Sequence, residues 1–118
     1  MKILYGVIGV VVILAGAFWV FKPAPSRALD SFASCLADKK VTMYGAEWCP
    51  HCQNQKKLFG DSFRLVPYVE CPDNPSLCLA KGINGYPTWI FPDGSSVAGE
   101  QSLKALSEKS TCPLQETR

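Results

Sequence analysis

Beyond its first 26 residues the sequence has no surplus of charge of either sign. From Arg27 onward it holds ten lysines or arginines and ten aspartates or glutamates, so the net charge of +2 comes from the N-terminal end. Because nucleic-acid binding needs a clustered positive surplus, we expect no nucleic-acid partner. The 118 residues also contain no internal repeat and no low-complexity tract, and they leave room for one domain at most.

Charge is missing altogether from the run between Ile3 and Phe21, "ILYGVIGVVVILAGAFWVF". A helix of that length would extend about 29 Å, close to the ~30 Å hydrocarbon thickness of a bilayer. We therefore expect residues 1–22 to form a single transmembrane anchor and residues 23–28 to form a short linker. A cleaved signal peptide is the alternative, because Lys2 gives a basic start and small residues follow near Ala24.

Histidine is nearly absent: His51 is the only one, and it lies between Cys49 and Cys52. This motif has four interpretations: haem attachment, a zinc site, a structural bridge or a redox pair. Covalent haem needs a histidine directly after the second cysteine, where Gln53 stands. Zinc needs a second closely spaced pair, and the next two cysteines have six residues between them. A local structural bridge is possible, but cysteines this close more often form a reactive pair.

The rest of the chain alternates helix and strand signals. Apolar spacing, proline and glycine predict helices in "ALDSFASCLADKK", from Pro50 to Gly60, in "PDNPSLCLAKG" and in "EQSLKALSEKS". Strands are predicted in "VTMYGA", "RLVPYVEC", "YPTWIF" and "SSVAG", with Pro67 placing the second at a sheet edge. A βαβ half followed by a ββα half gives an α/β fold, a four-stranded mixed sheet with helices on both faces. We place this domain at residues 29–113, followed by a tail at 114–118.

The Cys49 motif has the features of a thiol–disulfide oxidoreductase. A helix that begins there leaves the sulfur near unpaired N–H groups and the positive end of the helix dipole, and both favour the thiolate. His51 adds a cation or a donor near the same sulfur, and Pro50 shapes the turn without removing an N–H that the helix would use. Cys52, one turn along and shielded, can attack a mixed disulfide and release the product.

Two motifs resemble those of a known family. "AEWCPHC", followed about thirty residues later by "GYPTW", resembles the thioredoxin superfamily. From about Leu29 to Cys112 the chain more closely resembles the thioredoxin-like domain fused to, or paired with, bacterial homologues of vitamin K epoxide reductase. That match is carried by "MYGAEWCPHCQNQKKLFG", "PYVEC", "LCLAKGINGYPTW" and "GEQSL". The resemblance implies a thioredoxin-like fold in which Pro87 is a cis-proline facing the active cysteines and Tyr86 touches bound thiols.

The resemblance also implies a direction of electron flow. Electrons would pass from substrate cysteines to an integral-membrane, quinone-linked partner similar to vitamin K epoxide reductase, with no bound cofactor. The middle pair Pro50 and His51 is that of strongly oxidising relatives, whose potential lies about 150 mV above that of thioredoxin. Met43 stands where thioredoxins proper carry a buried acidic residue, a departure from efficient general reductases. The alternatives are a tethered reductase serving cytochrome c maturation and a non-enzymatic metal-binding module.

The four remaining cysteines allow three pairings. Cys71 and Cys78 flank a tight loop, which favours them as one structural bridge and leaves Cys35 with Cys112 as the other. A second redox pair at Cys71 and Cys78, or free buried thiols, are the alternatives. Because all six cysteines follow the apolar run, we expect the C-terminal domain on the exoplasmic, oxidising side of a membrane.

Trp48, directly before the motif, is either a surface platform for partners or a cap on the helix edge.

Overall fold

The computed structural model describes residues 27–115, so the predicted anchor, most of the linker and the end of the tail lie outside the described residues. Its α-helices and strands follow the predicted order. The helices are α1 (Asp30–Asp38), α2 (Pro50–Phe59), α3 (Pro75–Ala80) and α4 (Leu103–Ser110). The strands are β1 (Thr42–Gly45), β2 (Tyr68–Glu70), β3 (Thr88–Ile90) and β4 (Ser96–Ala98). Between Arg27 and Gln115, no helix combines the length and the apolar character needed to cross a bilayer.

The four strands form one mixed sheet in the order β2-β1-β3-β4. β1 pairs in parallel with β2 and antiparallel with β3, and β3 pairs antiparallel with β4. β2 lies at an edge, as Pro67 directly before it indicated, because a proline has no N–H to donate to a neighbouring strand. The predicted four-stranded mixed sheet is confirmed.

The two faces of the sheet are covered by different elements. Met43 and Trp89 are register partners with no exposed surface, and they belong to a core cluster that includes side chains of α1, α2 and α4. Tyr44, one residue along β1, points to the other face and clusters with the Cys71–Cys78 region that contains α3. This alternation is the period of two expected of a strand whose two faces are both covered.

The segment after α2 differs from the prediction. Gly60, at φ 55°, ends the α-helix as expected, but the chain continues as a 3-10 helix over Gly60–Leu65. The predicted strand "RLVPYVEC" is therefore shorter than its pattern indicated. A contact with α1 holds the extra turn, because Arg64 forms an ion pair with Asp30, with N···O 2.6 Å. Phe63 of the turn also packs edge-on against Phe59 at the end of α2.

Two disulfides bond the four cysteines outside the motif. Cys35 of α1 is bonded to Cys112, and Cys71 is bonded to Cys78, with Cα–Cα distances of 5.8 and 5.7 Å. This is the pairing that the loop lengths favoured. The first bond joins residues 77 apart and ties α1 to the segment after α4, whereas the second closes a loop of separation 7.

Candidate active site

Cys49 lies where β1 and its following turn meet the start of α2. It is the N-cap residue with extended backbone (φ −77°, ψ 123°), and Pro50 occupies the first helical turn, where no N–H is missed. Only 7% of Cys49 is exposed. In the thiol form described here, its Sγ donates towards the carbonyl oxygen of Tyr86 at 3.9 Å rather than capping the helix.

The loop before β3 brings a second group of predicted residues to Cys49. The Tyr86–Pro87 peptide bond is cis, and Pro87 is fully buried. Trp48 is 68% exposed, and its ring contacts that of Tyr86 edge-on with centroids 6.2 Å apart. Trp48 and Tyr86 thus line the surface next to the sulfur.

His51 is exposed and faces away from the core. Its Nδ1 lies 3.1 Å from Oε2 of Glu100, in the segment between β4 and α4. Over residues 27–115 no hydrogen bond joins the imidazole to either motif cysteine. Glu100, in the segment "GEQSL", was not anticipated as a partner of His51, since it is 49 residues away in sequence.

Cys52 lies one turn into α2 and has no exposed surface. Burial raises the pKa of its thiol to about 11, and the neighbouring Cys49 thiol adds to the shift. A hydrogen bond from the backbone of Ala46 and the charge of Lys56 act in the opposite direction. The Cys52 thiol is therefore protonated at neutral pH, and it must lose its proton before it can react.

Gly45 explains how Cys52 fits against the sheet. A Cβ at this position would lie only 2.7 Å from Cys52 Sγ, closer than real Cβ atoms approach, and 3.3 Å from Cε2 of Tyr68. Only glycine allows α2 to bring its sulfur this close to β1. The sequence did not point to Tyr68 as a neighbour of the buried thiol.

Gln55 is a further residue that sequence analysis missed. It has no exposed surface, although it lies three residues after Cys52 on a helix. Its Oε1 accepts from Trp89 Nε1 at 3.2 Å and from the backbone N–H of Gln101 at 2.7 Å, and its Nε2 donates to the Gln101 carbonyl. This amide fixes the motif helix to β3 and to the chain before α4. The available signal was a polar residue on the inward side of α2.

The donor set for a metal is limited in the part of the chain that the structure describes. No three Cys, His, Asp or Glu side chains there are grouped as a metal site would require. Cys71 and Cys78, the second half of the zinc set considered from the sequence, are bonded to each other and offer no thiolate. The two thiols that remain, Cys49 and Cys52, are arranged for exchange with one another.

Comparisons with known proteins identify relatives of this domain. The thiol-disulfide oxidoreductase LTO1 of Arabidopsis thaliana is 32% identical over 127 residues, which cover 84% of this chain and 34% of that protein. Protein disulfide isomerase-like 2-1 of Oryza sativa subsp. japonica is 35% identical over 77 residues, covering 53% of this chain and 21% of that protein. The chain thus spans about a third and about a fifth of the length of these two relatives.

Solved structures agree with the sequence relatives. A mutant thioredoxin from Halobacterium salinarum NRC-1 superposes with a TM-score of 0.52 at 25% identity, covering 72% of this chain and 86% of that one. No protein-family model matches the sequence.

Proposed function

We propose that this chain, a member of the thioredoxin superfamily of thiol–disulfide oxidoreductases, oxidises substrate thiols through a disulfide between Cys49 and Cys52. The observation that carries the proposal is the placement of two free thiols at the start of α2. One is 7% exposed and lies beside the Tyr86–Pro87 peptide, and the other has no exposed surface and lies one turn further along the helix.

The exchange follows from that placement. A substrate thiolate attacks Sγ of Cys49 in the oxidised pair, the Cys49–Cys52 bond breaks, and Cys52 leaves as a thiolate that takes up a proton. A second substrate thiolate then attacks the substrate sulfur of the mixed disulfide and releases Cys49. The substrate gains one disulfide, and the pair gains two electrons and becomes a dithiol. Burial directs the substrate to Cys49, because Cys52 has no exposed surface.

Substrate recognition is proposed for the surface around Cys49. The exposed indole of Trp48 and the ring of Tyr86 offer an apolar contact next to the reacting sulfur, and Pro87 holds the Tyr86 carbonyl there. Aromatic side chains contribute large contact areas at low conformational cost, which suits docking of many different chains.

His51 is proposed to favour the reduced, thiolate-containing form of the pair and so to make it more oxidising. His51 lies in the first turn of α2, two residues after the N-cap residue Cys49, and its contact with the carboxylate of Glu100 limits what it contributes at the sulfur. The effect is a contribution to the potential rather than its main determinant.

Membrane attachment and the electron acceptor belong to the same proposal. The uncharged run from Ile3 to Phe21 supports a retained single-pass anchor, and the two disulfides support an oxidising, exoplasmic location for the domain. The resemblance to domains paired with vitamin K epoxide reductase supports an integral-membrane, quinone-linked partner that reoxidises the pair. Anchoring raises the effective concentration of the domain near such a partner.

The redox potential tests the direction of flow. We expect the Cys49–Cys52 couple to equilibrate well above thioredoxin, which lies at about −270 mV, and towards the oxidising members near about −120 mV. His51→Ala should lower the potential. A redox potential at or below that of thioredoxin would contradict the proposed oxidase and favour the tethered reductase. Stoichiometric metal in the purified chain, without dithiol exchange, would contradict both the oxidase and the reductase and favour a metal-binding module.

Trapping tests the partner. In Cys52→Ala the mixed disulfide on Cys49 has no resolving thiol and persists. We expect non-reducing purification from cells to recover substrate proteins together with a polytopic membrane protein bound to Cys49. The matched control is Cys49→Ala, which should recover neither. Recovery of an apocytochrome alone would identify the reductase instead.

A further inference from the structure

The sulfur of Cys52 has no exposed surface from which it could give its proton directly to bulk water. The residue has no exposed surface, and the side chains around it in the core include Met43 and Trp89, neither of which can accept a proton from it. Exchange nevertheless requires the Cys52 thiol to lose a proton when it attacks and to regain one when it leaves. A polar protein group beside the sulfur would provide a path for that proton.

The edge strand β2 places a hydroxyl beside Gly45, where this sulfur also lies. Tyr68 Oη lies 3.5 Å, and Cys52 Sγ 2.7 Å, from the position that a Cβ on Gly45 would occupy. The missing side chain of Gly45 thus leaves the phenol and the thiol facing the same small space.

The same hydroxyl is held by a carboxylate that reaches the surface. Tyr68 donates to Oε2 of Glu70 at 3.1 Å, and Oε1 of Glu70 accepts from the backbone N–H of Glu47 at 2.8 Å. Glu70 is the register partner of Gly45 across β1 and β2, so the sheet itself sets this alignment. The thiol and the phenol are thus neighbours across the space at Gly45, and hydrogen bonds lead from the phenol to a partly exposed carboxylate.

We propose that Tyr68 and Glu70 form a proton relay for Cys52, with Tyr68 exchanging a proton with the thiol and Glu70 exchanging one with solvent. The inference rests on the proposed function, because it assigns residues to the second half of that exchange.

The relay balances in both directions. When Cys52 attacks Sγ of Cys49 in a mixed disulfide, the Cys52 proton moves to Tyr68 Oη as the Tyr68 proton moves to Glu70 Oε2. The Cys49–Cys52 bond forms, the other thiolate leaves, and Glu70 releases its proton to water. When the Cys49–Cys52 bond is opened by a substrate thiolate, the same steps run backwards and Cys52 is protonated.

The charges around the two groups are consistent with a relay rather than a fixed anion. On α2, the Cys49 thiol and the ammonium of Lys56 face Cys52, and Lys56 Nζ also lies 4.1 Å from the centroid of the Tyr68 ring. Burial, together with the carboxylates of Glu70 and Glu47, raises the pKa of Tyr68, so the phenol stays protonated between turnovers. It can pass a proton on only while it accepts another.

The test separates the two chemical steps of one reaction. Reduced full-length protein is mixed with 5,5′-dithiobis(2-nitrobenzoate), and release of thionitrobenzoate is followed by stopped flow. The first phase, attack by Cys49, depends on reagent concentration, whereas the second phase, attack by Cys52 on the mixed disulfide, does not. Cys52→Ala identifies the phases, because it should release only the first equivalent.

The relay variants change single atoms or groups. Tyr68→Phe removes the hydroxyl but keeps the ring, and Glu70→Gln removes the carboxylate but keeps an oxygen for the Glu47 N–H. We expect each to slow the second phase at neutral pH at least about tenfold, as expected for loss of general-base assistance, and to leave the first phase unchanged. The deficit should shrink as pH rises and solvent base takes over. Tyr44→Phe, a tyrosine of the adjacent strand on the opposite face, is the matched control and should alter neither phase.

Three results would overturn the proposal. A second phase with wild-type rate and pH dependence in both Tyr68→Phe and Glu70→Gln removes the relay and leaves the proposed function intact. Equal slowing of both phases assigns the two residues a structural role only. A wild-type protein without any second phase overturns the proposed function and the relay together.

Discussion

Removing the disulfide between Cys35 and Cys112 should destabilise the domain more than removing the one between Cys71 and Cys78. The two bonds close loops with sequence separations of 77 and 7. The chain-entropy relation then gives a loss of about 4.5 kcal/mol for the long loop and about 2.5 kcal/mol for the short one. Since small domains are stable by only about 5 to 15 kcal/mol, the first loss is a large share of the total.

The assay is urea unfolding of two double variants, Cys35→Ala/Cys112→Ala and Cys71→Ala/Cys78→Ala. Both are made in a background without the motif thiols, so that no exchange occurs in the unfolded chain. The buried indole of Trp89 reports unfolding by fluorescence. The slope of the free energy of unfolding against urea should also rise, more for the long loop, because the released chain exposes more surface.

Equal losses in the two variants would refute this reasoning. The cost would then come from the packing of four buried or partly buried sulfurs rather than from freedom gained by the unfolded chain. A larger loss for the short loop would refute it more strongly, because the chain-entropy contribution of a disulfide increases with the length of the loop that it closes.

Three further predictions concern single residues. Gly45→Ala should cost about 1 to 3 kcal/mol of stability by overpacking, and should slow attack by Cys52 because its sulfur must move from a contact of 2.7 Å. Gln55→Leu should cost at least about 2 kcal/mol, measured by urea unfolding, because it leaves a buried indole N–H and a main-chain N–H without their acceptor. Asp30 has its pKa lowered from 3.8 to about 2, chiefly by hydrogen bonding to Arg64. Its contribution to stability is therefore present above its unfolded value and lost as pH falls towards about 2, so Asp30→Asn should flatten the acid limb of thermal unfolding.

Each of these has an outcome that would contradict it. Wild-type stability and kinetics in Gly45→Ala would show that the strand and α2 can separate at no cost. An unchanged midpoint in Gln55→Leu would mean that the buried amide adds nothing over an apolar side chain. An Asp30→Asn protein that keeps the full acid sensitivity would assign the loss to other carboxylates.

Local sequence signals were sufficient for the order of elements in this fold. Pro50 and Gly60 bound α2, and Pro67 correctly marked β2 as an edge strand. The signals were insufficient after α2, where the 3-10 turn is held by the pair between Arg64 and Asp30. A contact between residues of different elements leaves no trace in the period of either segment.

The same distinction applies to the site. Cys49, Cys52 and Pro87 lie in short motifs whose residue types indicate redox chemistry. The structure places Cys49 beside the peptide bond between Tyr86 and Pro87. Tyr68 and Glu70 stand in an ordinary strand, and only the parallel register with β1 brings them next to Gly45 and its cysteine. Groups that act through pairing between strands could not be found from spacing along the chain.

The bond between Cys35 and Cys112 has a mechanical consequence. It joins the middle of α1 to the segment after the last helix, so that every strand lies inside one covalent loop. A force applied at Arg27 and at Gln115 would therefore pass through the sulfur bridge and bypass the hydrogen bonds of the sheet. Stretched between these two points, the domain should lengthen only by its short terminal extensions until a reductant cuts the bridge.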